Sequence, residues 1–88
     1  MSTRAVNWAW RQRAGGAPEK CVLVTLAVLA GDDDSCFVSR KTLAENAEMS
    51  RSAVERMLRT LIARGLIFRE TEAENIRILL LTDNGTPQ

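Results

Sequence analysis

The fold is decided by residues 39–58, which read SRKTLAENAEMSRSAVERML. Two helices are predicted here, because Ser39 and Ser50 each carry a side-chain oxygen at a position that suits a helix N-cap. The helix after Ser39 is expected over Arg40–Ala47, and the helix after Ser50 over Arg51–Arg64. A short turn joins them, so the stretch predicts two closely packed helices.

The apolar residues of this stretch support the same interpretation. The second helix has Val54, Met57, Leu58, Leu61 and Ile62 at the spacing of a single buried face. The first helix has a narrower apolar stripe at Leu43, Ala44 and Ala47. Each helix therefore has one face for a core and one face for solvent or a ligand.

The flanking sequence supplies a further helix and a small sheet. A helix over Pro18–Ala30, ended by Gly31, is apolar on both sides and is predicted to be covered on most of its surface. Cys36–Val38 is an extended piece too short to stand alone, and Leu66–Glu70 with Ile76–Leu81 predicts a hairpin that could pair with it. This order of elements predicts a winged helix-turn-helix, a mainly α fold with a small β-sheet (α+β) that has three helices and a C-terminal hairpin wing.

The ends of the chain predict the domain limits. Residues 1–16 contain Trp8, Trp10 and three arginines and end in two glycines, which is typical of an N-terminal arm. Residues 17–82 form the domain, and residues 83–88 are expected to be a frayed tail. The tryptophans have two interpretations, a lid over the core or exposed anchors of a dimer, and packing against the core is preferred.

Composition excludes several classes of protein. The 88 residues leave room for one core, and the hydrophobic fraction of 45% is typical of a globular chain. The apolar run at Cys21–Ala30 is too short for a membrane span, and no secretory signal is recognisable, so a cytoplasmic protein without membrane contact is expected.

The sequence has no His and no CxxC pair, so Cys21 and Cys36 are interpreted as small buried hydrophobes. The acidic triplet at residues 32–34 is interpreted as a solvated turn, since a calcium loop would need further ligands. Without a catalytic constellation, neither an enzyme nor a cofactor site is expected.

Several motifs resemble a known family. They are residues 20–27, 36–39, 42–44, 50–54 and 61–67, together with the tryptophan-containing residues 6–10. These segments resemble the winged helix-turn-helix domains of phage and plasmid replication initiators and small phage regulators. One position departs from the family pattern, because Glu48 stands where such turns usually have glycine. A positive φ at this residue would cost about 1 kcal/mol, so either the turn differs or the strain is tolerated.

The resemblance implies that the helix after Ser50 enters the major groove of double-stranded DNA. Arginine can bind guanine through two hydrogen bonds, glutamate can accept from cytosine, and serine can do either. The helix after Ser39 offers phosphate contacts at its N-terminus. The DNA-binding residues implied in this way are Ser39, Arg40, Lys41, Ser50, Arg51, Ser52, Glu55, Arg56 and Arg59. For Glu55, pairing with Arg51 and Arg59 one helical turn away is an alternative explanation.

Charge is unevenly distributed along the chain. Residues 39–64 contain six Lys or Arg against three Glu, a net of +3, whereas the whole chain is +1. Residues 70–88 contain four acidic residues against Arg77, so an acidic wing would be repelled by phosphate. The leading hypothesis is a sequence-specific DNA-binding regulator or replication initiator of a phage or mobile element. A homodimer through the N-terminal arm and the helix over Pro18–Ala30 is one possible arrangement. The alternative is a phage protein-binding winged helix that inhibits a host enzyme.

Overall fold

A computed structural model describes residues 3–72 and 75–82 of the chain, without the side chains of residues 71 and 72. The predicted winged helix of the α+β class is confirmed, with four helices in these residues instead of three. The three strands form one antiparallel sheet in the order β1-β3-β2. The elements are α1 Thr3–Arg11, α2 Ala17–Leu29, β1 Ser35–Ser39, α3 Arg40–Ala47, α4 Arg51–Ala63, β2 Ile67–Glu72 and β3 Asn75–Leu80.

The additional helix is α1, which lies in the segment predicted as an arm. The arm prediction is wrong for Thr3–Arg11, because this segment is a helix that packs on α2. Ala5, Trp8 and Ala9 lie on one face of this helix and are buried. Trp8 is 3% exposed and belongs to the core, whereas Trp10 is 62% exposed. The preferred interpretation is thus confirmed for Trp8, while Trp10 is exposed and does not pack against the core.

Three polar anchors hold α1 and the loop after it in place. The Lys20 ammonium on α2 donates to the carbonyls of Trp10 (2.7 Å), Ala9 and Gln12 at the C-terminal end of α1. Further along, Arg64 Nη1 donates to the carbonyl of Arg13 over 3.2 Å. The third anchor is an ion pair between Arg4 and Asp34.

Asp34 corrects the interpretation of the acidic triplet. Its carboxylate is buried and accepts hydrogen bonds from Arg4 Nη2 at 2.8 and 2.9 Å and from Thr82 Oγ1 at 2.8 Å. Asp32 and Asp33 are exposed, as a solvated turn requires. Asp34 thus connects α1, the turn before β1 and the residues after β3.

The helix α2 is central, but its cover is less complete than predicted. Val22, Leu23, Leu26 and Ala27 are buried, whereas Val28 is 41% exposed. Leu29, at the end of the helix, is 39% exposed. The residue after the helix is Ala30 in extended backbone, so the prediction of a Gly31 cap is wrong.

The cysteines are both free, and only one of them is buried. Cys36 lies in the core, where burial raises the pKa of its thiol to about 11. Cys21 is exposed on α2, so its interpretation as a buried hydrophobe is wrong.

The sheet has one face against the helices and one face open. In β3, Ile76, Ile78 and Leu80 are buried and alternate with Asn75, Arg77 and Leu79. The register pairs Phe37 of β1 with Arg77, and Phe68 of β2 with Leu79. The predicted tail at residues 83–88 and Glu74 lie outside the described residues. Within the described ranges, the helices are all too short or too polar to cross a membrane.

Candidate nucleic-acid interface

The helix α4 is fixed at its start by the serine that the sequence singled out. Ser50 has extended backbone, and its Oγ accepts a hydrogen bond from the backbone N–H of Ala53 over 3.1 Å. Val54, Leu58 and Leu61 on this helix are buried in the core. The N-cap prediction and the centre of the apolar stripe are confirmed.

The opposite face of α4 carries exposed polar residues. Arg51, Ser52, Arg56 and Arg59 are exposed there, and the first three lie within the first two turns. Ile62, predicted in the buried stripe, is 40% exposed near the C-terminal end. The helix therefore presents a positively charged surface that begins at its N-terminus.

The turn between α3 and α4 has the geometry that usually favours glycine. Glu48 has φ 56° and ψ 47°, in the left-handed region, and its N–H caps the end of α3 at the carbonyls of Ala44 and Glu45. Met49 N then donates to Ala44 O over 3.0 Å. Of the two possibilities, the structure shows the second: Glu48 adopts the left-handed conformation and the strain is tolerated.

The N-terminus of α3 is capped as predicted. Ser39 Oγ accepts from the backbone N–H of Thr42 over 3.0 Å and donates to Thr42 Oγ1 over 2.9 Å. Lys41 is exposed. The Ser39 and Ser50 hydroxyls thus both cap helices. Their contribution to ligand binding would be indirect, through the orientation of the two helix ends.

Glu55 joins three elements instead of facing a ligand. Arg69 on β2 makes a two-pronged contact with this carboxylate, with Nη2 3.2 Å from Oε1 and Nη1 against Oε2. Arg40 Nε on α3 lies 3.4 Å from the same Oε1. The alternative pairing of Glu55 with Arg51 and Arg59 is therefore not what the structure shows. In this state Glu55 and Arg40 are partly buried and face each other, unlike the exposed base and phosphate contacts that were predicted for them.

The ion pairs of Glu55 predict a pH-dependent stability. The Arg69 hydrogen bond, and then Arg40, hold the pKa of Glu55 below its ordinary value of 4.5. The folded chain thus binds this proton less tightly than the unfolded chain, so the stabilisation is complete above pH about 4.5 and is lost as the pH falls below it. Glu55→Gln is expected to lower the free energy of unfolding by about 1 kcal/mol near neutral pH, and by less near pH 3. Urea unfolding at both pH values measures this difference.

A matched control is Glu45→Gln, on the exposed side of α3. It should change stability little at either pH. If Glu55→Gln destabilised the chain equally at both pH values, the charge of Glu55 would not be the source of the effect.

Sequence reasoning missed two features of this surface. The first is Arg69, whose position on β2 alternates with Phe68 and Glu70 and directs its side chain towards α4. The strand alternation itself could have indicated this orientation. The second feature is an open groove beside the turn, where two glutamates face the basic residues. The groove is lined by Lys41, Ala44, Glu45, Glu48, Met49, Ser50 and Arg51.

Two helices joined by a tight turn, with a sheet packed behind them, define the class of winged helix-turn-helix domains. Residues 18–67 match the family model described as a helix-turn-helix domain, and the chain belongs to this family. Domains of this class bind DNA with the second helix of the pair, which is α4 here.

A solved structure shows the same architecture. The chain is similar to a MarR family transcriptional regulator from Silicibacter pomeroyi, with 32% sequence identity and a TM-score of 0.53. The match covers 88% of this chain and 48% of that one, so the chain spans about half the length of that regulator. A comparison with curated protein sequences gave no match.

Proposed function

We propose that the chain binds double-stranded DNA in a sequence-specific way, with α4 in the major groove. The observation that carries the proposal is the exposed arrangement of Arg51, Ser52 and Arg56 at the N-terminal half of α4, whose opposite face is buried. Residues at the start of a recognition helix are the ones that reach base edges. Arg59, one turn further along, is assigned to the phosphate backbone. The proposed role is binding, without catalysis and without a cofactor.

The start of α3 supplies a second set of contacts. Lys41 is exposed near the capped N-terminus of α3, where the positive end of the helix dipole attracts a phosphate. Arg40 and Glu55 act as positioning residues, because their ion pair joins α3 to α4. Ser39 and Ser50 have the same type of role through their caps.

The biological role that fits this interface is regulation of transcription, which is the role named for the similar MarR family structure. The sequence motifs also resemble those of phage and plasmid proteins, which adds replication initiation on a mobile element as a second proposed role. In both roles the chain acts by occupying a defined duplex site.

The proposal includes a homodimer through α1 and α2. An apolar groove between these helices is lined by Trp10, Ala17, Lys20, Cys21, Val24 and Thr25. Trp10 is exposed at this groove, and Val28, one turn after Val24 on α2, is also exposed. A dimer of this kind would place two copies of α4 on two half-sites about one DNA turn apart.

Selection from a random duplex pool, followed by titration, tests the proposal. Arg51→Ala and Arg56→Ala are each expected to weaken binding to the selected duplex by about 1 to 3 kcal/mol, because a two-pronged arginine contact with a base is lost. Affinity should also fall as salt rises, with a shallow slope since few basic residues are available. The stoichiometry of the saturated complex, measured by sedimentation, reports one or two copies per duplex.

Glu72→Ala with Glu74→Ala is the matched control, since it removes two wing charges outside α4. This variant should bind the selected duplex as well as the parent or better. Selection that enriches no sequence, or arginine variants that bind as well as the parent, would overturn the proposal.

A further inference from the structure

The outer face of the sheet carries an exposed aromatic patch that the DNA interface does not use. Phe37 on β1 is 66% exposed and Phe68 on β2 is 53% exposed. Leu79 of β3 pairs with Phe68, and Arg77 of β3 pairs with Phe37, so these four residues lie on one face. The two phenylalanines lie on the outer strands, on adjacent rows of side chains across β3. Exposed apolar side chains grouped on one face are a recognised mark of an interaction site.

This patch has an acidic border. Arg77 lies between Asp33 and Glu70, with its guanidinium 3.9 Å from Asp33 Oδ2 and 3.7 Å from Glu70 Oε1. Asp32 is exposed in the same turn as Asp33. Two carboxylates therefore flank the guanidinium, and Asp32 adds a third negative charge in the same turn. The net charge of these four residues is −2, so a basic ligand is favoured and a phosphate chain is repelled.

The patch faces away from α4. Arg69 on β2 points to Glu55 of α4, whereas its neighbours Phe68 and Glu70 point to the opposite side of the sheet. A ligand on the outer face would thus leave the exposed arginines of α4 uncovered.

We propose that this face, Phe37, Phe68, Arg77 and Leu79 with the carboxylates of Asp32, Asp33 and Glu70, docks a basic amphipathic helix of a partner protein. The apolar side of such a helix would cover the two phenylalanines, and its Lys or Arg residues would meet the acidic border. A second copy of the chain fits less well, because a two-fold contact would bring like charges together. Stacking of single-stranded nucleic acid on the phenylalanines is opposed by the same carboxylates.

The test uses the full chain, labelled with 15N, and two synthetic helical peptides of equal length, one of Leu and Lys and one of Leu and Glu. The Leu–Lys peptide is expected to bind and to shift amide resonances in β1, β2 and β3, and the Leu–Glu peptide is expected not to bind. Phe37→Thr with Phe68→Thr should weaken binding at least about 10-fold, because central aromatic anchors dominate such contacts. Threonine retains the preference for a strand, so the sheet should persist.

Val28→Thr is the matched control, since Val28 is an exposed apolar residue on α2. It should bind the Leu–Lys peptide like the parent. Resonance shifts confined to α1 and α2, equal binding by the Phe37 and Phe68 variant, or stronger shifts in the sheet with oligo(dT) than with the peptide would each overturn the proposal. Duplex binding by the Phe37 and Phe68 variant, measured in parallel, should match the parent, which separates this test from that of the DNA interface.

Discussion

Replacing Trp8 with alanine is expected to lower the free energy of unfolding by about 3 to 5 kcal/mol. Trp8 is 3% exposed and is the largest side chain that α1 contributes to the core. Its removal leaves a cavity between α1 and α2 that the surrounding residues can fill only in part. A domain of this size has a small margin of stability, so a loss of this size could unfold much of the population at room temperature. Urea unfolding followed by circular dichroism measures the change.

The neighbouring tryptophan gives a control of identical chemistry. Trp10 is 62% exposed, and Trp10→Ala should change the free energy of unfolding by no more than about 0.5 kcal/mol. Equal losses for the two variants would mean that α1 does not pack on α2 in the way described.

Leu58→Ala is the second substitution with a large expected effect, a loss of about 2 to 5 kcal/mol. Leu58 has no exposed surface and lies between Val54 and Leu61 on the buried face of α4. Truncation to alanine removes apolar surface that folding buries away from water. It also removes the contacts that the leucine side chain makes with the core. The expected result is a lower urea midpoint with little change in the helical content of the molecules that remain folded.

Ile62→Ala is the matched comparison on the same helix. Ile62 satisfies the same helical spacing as Leu58 in the sequence, yet it is 40% exposed in the structure. Its truncation should cost about 1 kcal/mol or less, because part of the side chain is already in water. A melting curve for Leu58→Ala that coincides with the parent would show that the register of α4 is wrong.

The elements that sequence reasoning predicted well are those with local signals. Ser39 and Ser50 are caps whose hydrogen bonds reach only three residues ahead, so the pattern of the sequence contains the whole interaction. Gly65, with φ 75° after α4, is another local signal that the sequence carries. The bounds of α3 were predicted residue by residue for this reason.

The α1 helix was missed although its apolar spacing was present. Ala5, Trp8 and Ala9 fit one helical face, but alanine is a weak hydrophobic signal and the surrounding arginines are typical of a solvated arm. The stabilising contacts come from distant residues, since Lys20 and Asp34 lie 10 and 30 positions from their partners Trp10 and Arg4. Such contacts cannot be derived from local periodicity.

The same limit applies to the candidate interface. The exposed face of α4 follows from the helical spacing, so Arg51, Ser52 and Arg56 could be identified from the sequence. The roles of Arg40 and Glu55 could not, because Glu55 meets Arg40 and Arg69 across 15 and 14 positions of sequence. Only the packing of α3, α4 and β2 brings these charges together.

The strand order β1-β3-β2 has a consequence for the route by which the chain folds. The helices are local structures that can form early, whereas β1 and β2 both pair with β3, which is synthesised after the other two described strands. Each pairing of β1 with β3 joins residues at least 36 positions apart, and the smallest separation is that of Ser39 and Asn75. Closing such a long loop costs conformational entropy, so this pairing is expected to form late in folding. A nascent chain that ends before Asn75 contains the helical segments but has no partner strand for β1 or β2, so the closure of the domain awaits the completion of β3.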